Sequence, residues 1–527
     1  MSERQHPDGR ETDRAEAEGA KDGTRAAEEA LATVGATHPP GAPAGGGAQD
    51  AEAAGGQEGA RTPDGEAAAG GAQADPPASD PPALDSPASD ADGGKADVQR
   101  LTSGKGAGMD ERGTTTPALR RQAALALVLL GIVIIAVAAF TTPWDVLTGG
   151  PPDPARDFTA AQIAKGEAFD AATSLPSYLS LALTLISAGV LVATPFGAKV
   201  LAWLRGPWWL RVILGTVVIT AIIEALRWPL GVWFETILRE YGLSTQDWAG
   251  WTADRLKSLG VETFLLCLML VVLVALARKV RRWWIPAAAG AFAFTVAASF
   301  AYPVIFEPLF NDFTPMPQGT LRTNLLDMAA RDGVPVEDVL VADASRRTTA
   351  LNAYVSGFGA TRRIVVYDTL LQAPQKEVEL VVAHELGHAK YDDVLHGTLI
   401  GALGSAFGAI LLYVIFDPLR RRTKVISITD PRAVGALMGL MTIGGFLLGP
   451  ATNLISRHIE ARADVHALDL TRDPATFIAM QKRLATTNIS DLTPNAVEYV
   501  LYASHPSSPE RIAMARAWAR LNGVPLP

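Results

Sequence analysis

Seven apolar blocks follow one another along this chain, near residues 122–140, 178–196, 208–226, 261–277, 283–304, 394–416 and 434–455. At 1.5 Å per residue a helix needs roughly 17–25 residues to cross a ~30 Å hydrocarbon layer, and each block is that long. Seven such runs are hard to bury inside a soluble protein. Trp208-Trp209 and Trp283-Trp284 stand at the ends of two of them, where an amphipathic ring prefers the membrane–water boundary. The blocks therefore predict a mainly α, seven-helix transmembrane protein. The fourth block is the shortest and the weakest of the set.

The apolar residues are concentrated because the beginning of the chain has few of them. Residues 1–116 are dominated by Ala, Gly, Pro, Asp, Glu and Ser, with no aromatic residue and no Ile. Such a segment buries too little apolar surface to offset its ordering entropy, and it reads as a disordered acidic tail. It has no apolar h-region and so is no signal peptide. Within residues 1–112 there are 22 acidic and 10 basic side chains, so the tail carries more than the whole net charge of -9 and the body is slightly basic. That balance gives no reason to expect a nucleic-acid partner.

The rest of the chain divides at the blocks. Residues 117–304 hold spans one to five, and 394–455 hold spans six and seven. The polar segments 305–393 and 456–527 are separated by two spans, so they share one side of the membrane and are expected to form one domain. In the first segment, 333–340 and 363–368 have β-branched patterns, while 321–330 and 374–390 read as helices. The 363–367 stretch is either an edge strand able to hold an extended peptide or a buried core strand.

Residues 378–391 read V-E-L-V-V-A-H-E-L-G-H-A-K-Y. Pro374 suits a helix start, and Glu377 and Glu379 suit its positive end. On that helix His384 and His388 stand one turn apart on one face, the spacing at which two imidazoles grip one Zn²⁺ with Glu385 beside the open position. A single cysteine, Cys267, lies inside an apolar block, so a metal must be held by His and carboxylates. The extended motif with a third His is excluded, because Tyr391 and Val394 occupy its Gly and His positions. The candidate third ligand lies past the seventh block, in Arg457-His458-Ile459-Glu460-Ala461-Arg462-Ala463-Asp464. Glu460 and Asp464 are one helical turn apart, so one can bind metal while the other orients an imidazole. His458 and His466 are alternative ligands on spacing alone.

H-E-L-G-H followed by E-x-x-x-D after a seventh span resembles the CAAX prenyl protease 1 family of membrane zinc endopeptidases. Asn352-Ala353-Tyr354 with the following 363–371 strand segment, and Ser504-His505-Pro506 with Glu510-Arg511-Ile512, resemble two further family signatures. The resemblance spans roughly residues 120–520. It implies a gluzincin-like zinc domain with a small β element, and a water-filled chamber within the spans. It also implies one Zn²⁺ per chain on His384, His388 and Glu460, with Glu385 as general base. By the same resemblance His505 steadies the oxyanion and Arg511 positions His505; Asn352, a further catalytic residue, binds the substrate backbone or the oxyanion, Tyr354 meets the substrate or supports the site, and Asp464 stands behind a ligand imidazole. The implied partners are a peptide or membrane-protein substrate and the lipid bilayer, with no obligate protein partner.

Two expectations conflict over sidedness. Arg120-Arg121 and the Lys/Arg clusters in 199–211, 278–282 and 420–424 all fall on the face opposite the polar domain; the positive-inside rule makes that face cytoplasmic. The resemblance implies a cytosolic zinc domain instead. The Ala/Gly/Arg-rich composition suits a GC-rich bacterium and hence its plasma membrane, where prenylated CAAX substrates are not expected. The rival functions are a catalytically silent membrane scaffold of the same fold and a transporter. The filled catalytic positions oppose the first, and the zinc motif has no need in the second.

Overall fold

The computed structural model describes residues 117–357, 359–423 and 427–526. The acidic tail, and with it the expectation of disorder, lies outside the described residues. Among the described residues, seven helices are long and apolar enough to cross a membrane. Five precede the polar domain: α1 (Pro117–Thr141), α2 (Ala160–Ala193), α3 (Trp208–Glu240), α4 (Trp248–Lys279) and α5 (Trp284–Ala301). Several run well beyond their apolar blocks because capped, polar turns extend them. Thr159 and Gln162 form a reciprocal capping box that starts α2 upstream of its apolar stretch. Asp247 caps α4 through the Gly250 amide. The fourth span, the shortest apolar block, is a full helix of 32 residues.

The polar domain is built on a four-stranded sheet. Its elements in chain order are β1 (Phe313–Pro315), α6 (Thr320–Asp332), β2 (Asp338–Ala342), β3 (Ala353–Ser356), β4 (Arg363–Tyr367) and α7 (Gln375–Lys390). The strand order is β1-β2-β4-β3, with β2 and β4 parallel and the outer pairs antiparallel. The 363–367 stretch is therefore an interior strand; the edge-strand alternative is corrected. Ile364, Val365, Val366 and Tyr367 are all buried, and such a continuous apolar run suits a strand covered on both faces. The outer strand beside it is β3.

Spans six and seven are α8 (Asp393–Thr423) and α9 (Val434–Thr471), followed by α10 (Pro474–Thr487), α11 (Ala496–Tyr502) and α12 (Ser508–Leu521). These C-terminal helices return to the sheet. Phe477, Met480, Met514, Ala515 and Trp518 join the buried cluster that also contains Leu325, Val339, Ile364 and Val382. The two polar segments thus share one core.

A second core lies at the other end of the spans. It gathers Leu119 and Ala123 of α1, Leu191 of α2, Val212 and Ile219 of α3, Leu270 and Val274 of α4, and Tyr413 and Leu437 from α8 and α9. Between the two cores the spans carry buried polar groups. Glu224 of α3 pairs with Arg255 of α4 at 2.7 Å, and Arg227 donates to Ser180 of α2 at 3.1 Å. The loops on the domain side are fastened to it: Thr245 N donates to Arg347 O, Thr349 N to Leu243 O, and Arg516 Nη1 to Asp157 at 2.7 Å.

Candidate active site

The helix α7 is apolar on most of its circumference; Val378, Leu380, Val381, Val382, Ala383 and Leu386 are all buried. That burial fixes the rotation of the helix and points His384 and His388 at one target. The target is α9, where Arg457, Glu460 and Asp464 share a face at three- and four-residue spacing. The two helices approach closely at Gly387. A Cβ there would lie 3.1 Å from His466 Cδ2 and 3.2 Å from Ala463 Cα, so the absent side chain sets the distance between them.

Three ligand-type groups converge at that crossing. The Nε2 atoms of His384 and His388 lie 3.1 Å apart. Glu460 Oε2 is 3.1 Å from His384 Nε2, and Glu460 Oε1 is 3.5 Å from His388 Nε2. Both imidazoles have their other nitrogen tied to a carboxylate: His384 Nδ1 meets Asp464 Oδ1 at 2.8 Å, and His388 Nδ1 meets Asp393 Oδ2 at 3.0 Å. A carboxylate only accepts, so each Nδ1 carries a proton and Nε2 is the nitrogen that each ring turns towards the cluster. Glu460 Oε2 is buried with no hydrogen-bond partner. Two imidazole nitrogens and a carboxylate oxygen facing one another at a buried point call for positive charge between them, from a bound metal ion or from protons on the rings. Two ligands at ~2.05 Å in tetrahedral array stand about 3.3 Å apart, close to the spacing found. This donor set fits a zinc-type metal.

The electrostatics agree. Burial works against charging His384, and Asp464 and Glu460 overcome it, leaving the imidazole pKa raised to about 10. Burial opposes charging His388 as well, and Glu460 and Asp393 again prevail, so its pKa is raised. The pocket favours positive charge where the two Nε2 atoms meet Glu460, and a metal ion bound there would take the place of the ring protons. Glu385 is pushed above the usual carboxylate range, chiefly by burial, which suits a proton acceptor.

The other residues singled out in the sequence are placed as follows. Asp464, 0% exposed, accepts from His384 and also from Arg511 Nε at 2.7 Å. Arg511 thus anchors Asp464, where the sequence resemblance had it positioning His505. His505 Nε2 lies 3.3 Å from Glu460 Oε1, its side chain 47% exposed on the open side of the cluster. Asn352 and Tyr354 form no hydrogen bond with the cluster among the described residues. Asn352 Oδ1 accepts from the Ala353 amide, and Tyr354 packs edge-on against Tyr367. Both stand at the outer strand beside α7. The alternative ligands are otherwise occupied: His466 Nε2 pairs with Asp332 at 2.9 Å, and half-buried His458 bonds Leu454 O and lies tilted against the Trp144 ring.

Two groups of contributors were not foreseen. Asp393 orients His388 and is itself held by Arg462. It reaches back because α7 ends at Lys390 and Asp392 adopts φ 52°, a left-handed turn that Asp tolerates. An acid just past H-E-x-x-H was the available signal. The second group fixes the approach to His505. Arg457 Nη1 donates to Tyr499 O at 2.9 Å and Ala503 O at 2.6 Å, while Tyr499 Oη donates to Glu510, which closes a capping box with Ser507.

A sheet-backed helix bearing paired imidazoles, a third ligand from the last span's helix and seven membrane-length helices define a membrane-embedded metalloendopeptidase. The comparisons agree. Residues 315–519 match the family model for Peptidase family M48, and residues 151–312 match that for the CAAX prenyl protease N-terminal region with five membrane helices. The chain belongs to peptidase family M48, with the CAAX prenyl protease 1 enzymes and their homologues. It is 28% identical to an uncharacterized metalloprotease of Bacillus subtilis, over 70% of this chain and 89% of that one. It is 27% identical to CAAX prenyl protease 1 of Saccharomyces cerevisiae, over 54% of this chain and 67% of that one. It is 33% identical to the Oryza sativa CAAX prenyl protease 1 homologue, where the match spans 42% of this chain and about half (53%) of the relative. The crystal structure of S. mikatae Ste24p shares the fold, with a TM-score of 0.63 at 20% identity over 75% of this chain and 98% of that one.

Proposed function

We propose that one Zn²⁺ is held by His384, His388 and Glu460 and that Glu385 is the general base of peptide-bond hydrolysis. The observation that carries this is the convergence of two Nε2 atoms, on rings whose Nδ1 atoms are held by carboxylates, and Glu460 Oε2 on one buried point. When bound, zinc supplies a Lewis acid and brings a water pKa towards ~7. Glu385 accepts the proton of the attacking water and returns it to the leaving amine. Asp464 and Asp393 keep both imidazoles in the Nδ1–H tautomer. Arg511 and Arg462 keep those carboxylates charged and in place.

His505 is the donor to the tetrahedral oxyanion. Ser504 Oγ lies 2.9 Å from His505 Nδ1; with the hydroxyl donating, Nε2 keeps its hydrogen and turns it towards the cluster, 3.3 Å from Glu460 Oε1. Although its edge is open to solvent, desolvation within the cluster, together with Arg511, His384 and His388, outweighs the raising effect of Glu460 and lowers the His505 pKa, so it acts as a neutral N–H donor near pH 7. Asn352 and Tyr354, on the outer strand, contact the substrate. The polar groups buried between two separated apolar cores support a hollow, chamber-like interior to the spans. The substrate is a peptide or membrane protein taken from the bilayer. The Bacillus subtilis relative supports a bacterial plasma membrane, and the arginine-rich short loops support a cytoplasmic position for the face opposite the zinc.

The test is metal analysis together with cleavage of a peptide by the purified protein. One zinc per chain is expected, with cleavage lost to a chelator and restored by zinc. Glu385→Gln keeps the zinc and loses roughly 10²–10⁴ in rate. An active metal-free protein, or a Glu385→Gln enzyme cleaving at the wild-type rate, would sink the proposal.

A further inference from the structure

On the face farthest from the metal, the start of α3, the end of α4 and the turn leading into α9 enclose an open cavity of about 410 Å³. Its walls carry three guanidiniums, Arg211, Arg278 and Arg432, against one carboxylate, Asp430, with the hydroxyls of Ser427 and Thr429 beside them. The carboxylate is already committed. Arg432 binds it through Nε at 3.0 Å and Nη2 at 2.6 Å, and the Arg432 amide binds it again at 3.0 Å. Arg278 donates Nη1 to the neutral Thr429 O at 2.8 Å and lies over the Trp208 ring. Arg211 is the telling residue: its Nε is buried without a hydrogen-bond partner. A guanidinium that is partly buried with an unanswered N–H is costly unless an anion completes it.

The location restricts the anion. Arg211 sits in the first turn of α3, directly after Trp208-Trp209, and the exposed rings of Trp203 and Trp209 lie around it in sequence. Tryptophans at the ends of apolar helices mark the headgroup layer, and forked guanidinium donors match phosphate oxygens. Basic pockets between membrane helices at that depth are headgroup sites.

We propose that Arg211, with Arg278 and Arg432 beside it, binds a phosphate group at the membrane face opposite the metal centre. The phosphate belongs to a lipid headgroup or to a soluble phosphate, and the sources separate by experiment. Full-length protein, purified in neutral detergent and stripped of lipid, is followed by thermal unfolding as phosphatidylglycerol or inorganic phosphate is added. A rise in the unfolding midpoint with phosphatidylglycerol alone assigns the site to lipid; the same rise with inorganic phosphate assigns it to soluble phosphate. Either response should need roughly tenfold more ligand in Arg211→Ala, and be unchanged in Arg205→Ala, an exposed arginine on the same face. Retained peptide cleavage by Arg211→Ala shows that the variant is folded. No response to either probe overturns the proposal, as does a response that Arg211→Ala leaves intact or Arg205→Ala weakens equally. Native mass spectrometry of the wild type needs no variant: one retained phosphatidylglycerol or phosphate supports the site, and neither refutes it.

Discussion

Replacing Asp464 by Asn changes one oxygen to an amide at a position 0% exposed to solvent and tests how the site is held. The wild-type carboxylate accepts from His384 Nδ1 at 2.8 Å and from Arg511 Nε at 2.7 Å, with a further bond from Arg511 Nη2. All of these are donors, so the amide NH₂ must oppose one of them. Two costs follow. Arg511 loses its buried counterion, worth about 3–5 kcal/mol in stability. His384 loses the group that fixes its tautomer, which typically costs about 10–100-fold in metal affinity, or ~1.4–2.7 kcal/mol. The assay is competition of the metal-free protein with a fluorescent zinc chelator, alongside thermal unfolding. Adding Arg511→Met to Asp464→Asn removes the stranded charge, so stability should recover while zinc affinity should not. Zinc binding by Asp464→Asn within about twofold of wild type would refute the reasoning.

Other outcomes are expected. His505→Ala should lower kcat by about 10²–10³ with zinc content unchanged, as for loss of an oxyanion donor; a change confined to KM would assign His505 to substrate binding. Gly387→Val should destabilise the protein by about 1–3 kcal/mol and reduce zinc occupancy, because the new side chain meets Ala463 and His466. Asp157 is held below its ordinary pKa because Arg516 and Lys482 outweigh the burial that opposes its charge. Its contribution, about 3 kcal/mol, is thus present above the unfolded carboxylate pKa and lost as pH falls through the lower folded value. Asp157→Asn should accordingly be less stable near pH 7 and converge with wild type in acid, read by thermal inactivation. A C-terminal tag should be removed by protease added to intact cells; its survival would assign the opposite orientation.

The spans and the metal helix were legible because their physics is local. An apolar block of membrane length or a His-x-x-x-His spacing is decided within a few turns of chain. The helix extensions of α2 and α4 were less visible, since capping by Thr159 and Asp247 continues a helix through polar residues that no apolar count includes. Glu460 could be proposed from its spacing to Asp464, yet choosing it over His458 and His466 needed distant partners. His466 is taken by Asp332, a pairing between α9 and α6 that leaves no periodic trace. Arg511 on Asp464 in place of His505 is the same kind of fact. Which strand lay at the sheet edge was open for a related reason: strand order is a long-range property, and only the unbroken burial of 364–367 hinted at it.

The helix α9 runs for 38 residues with Pro450 inside it; its first part is embedded among the spans and its last part carries Glu460 and Asp464. A proline removes one helical hydrogen bond and bends the helix at that point, while the last part is pinned to α7 by the close approach at Gly387 and by Asp464 on His384. Pro450 is thus the place where the embedded part can adjust its tilt to the bilayer while the carboxylates keep their station against the imidazoles.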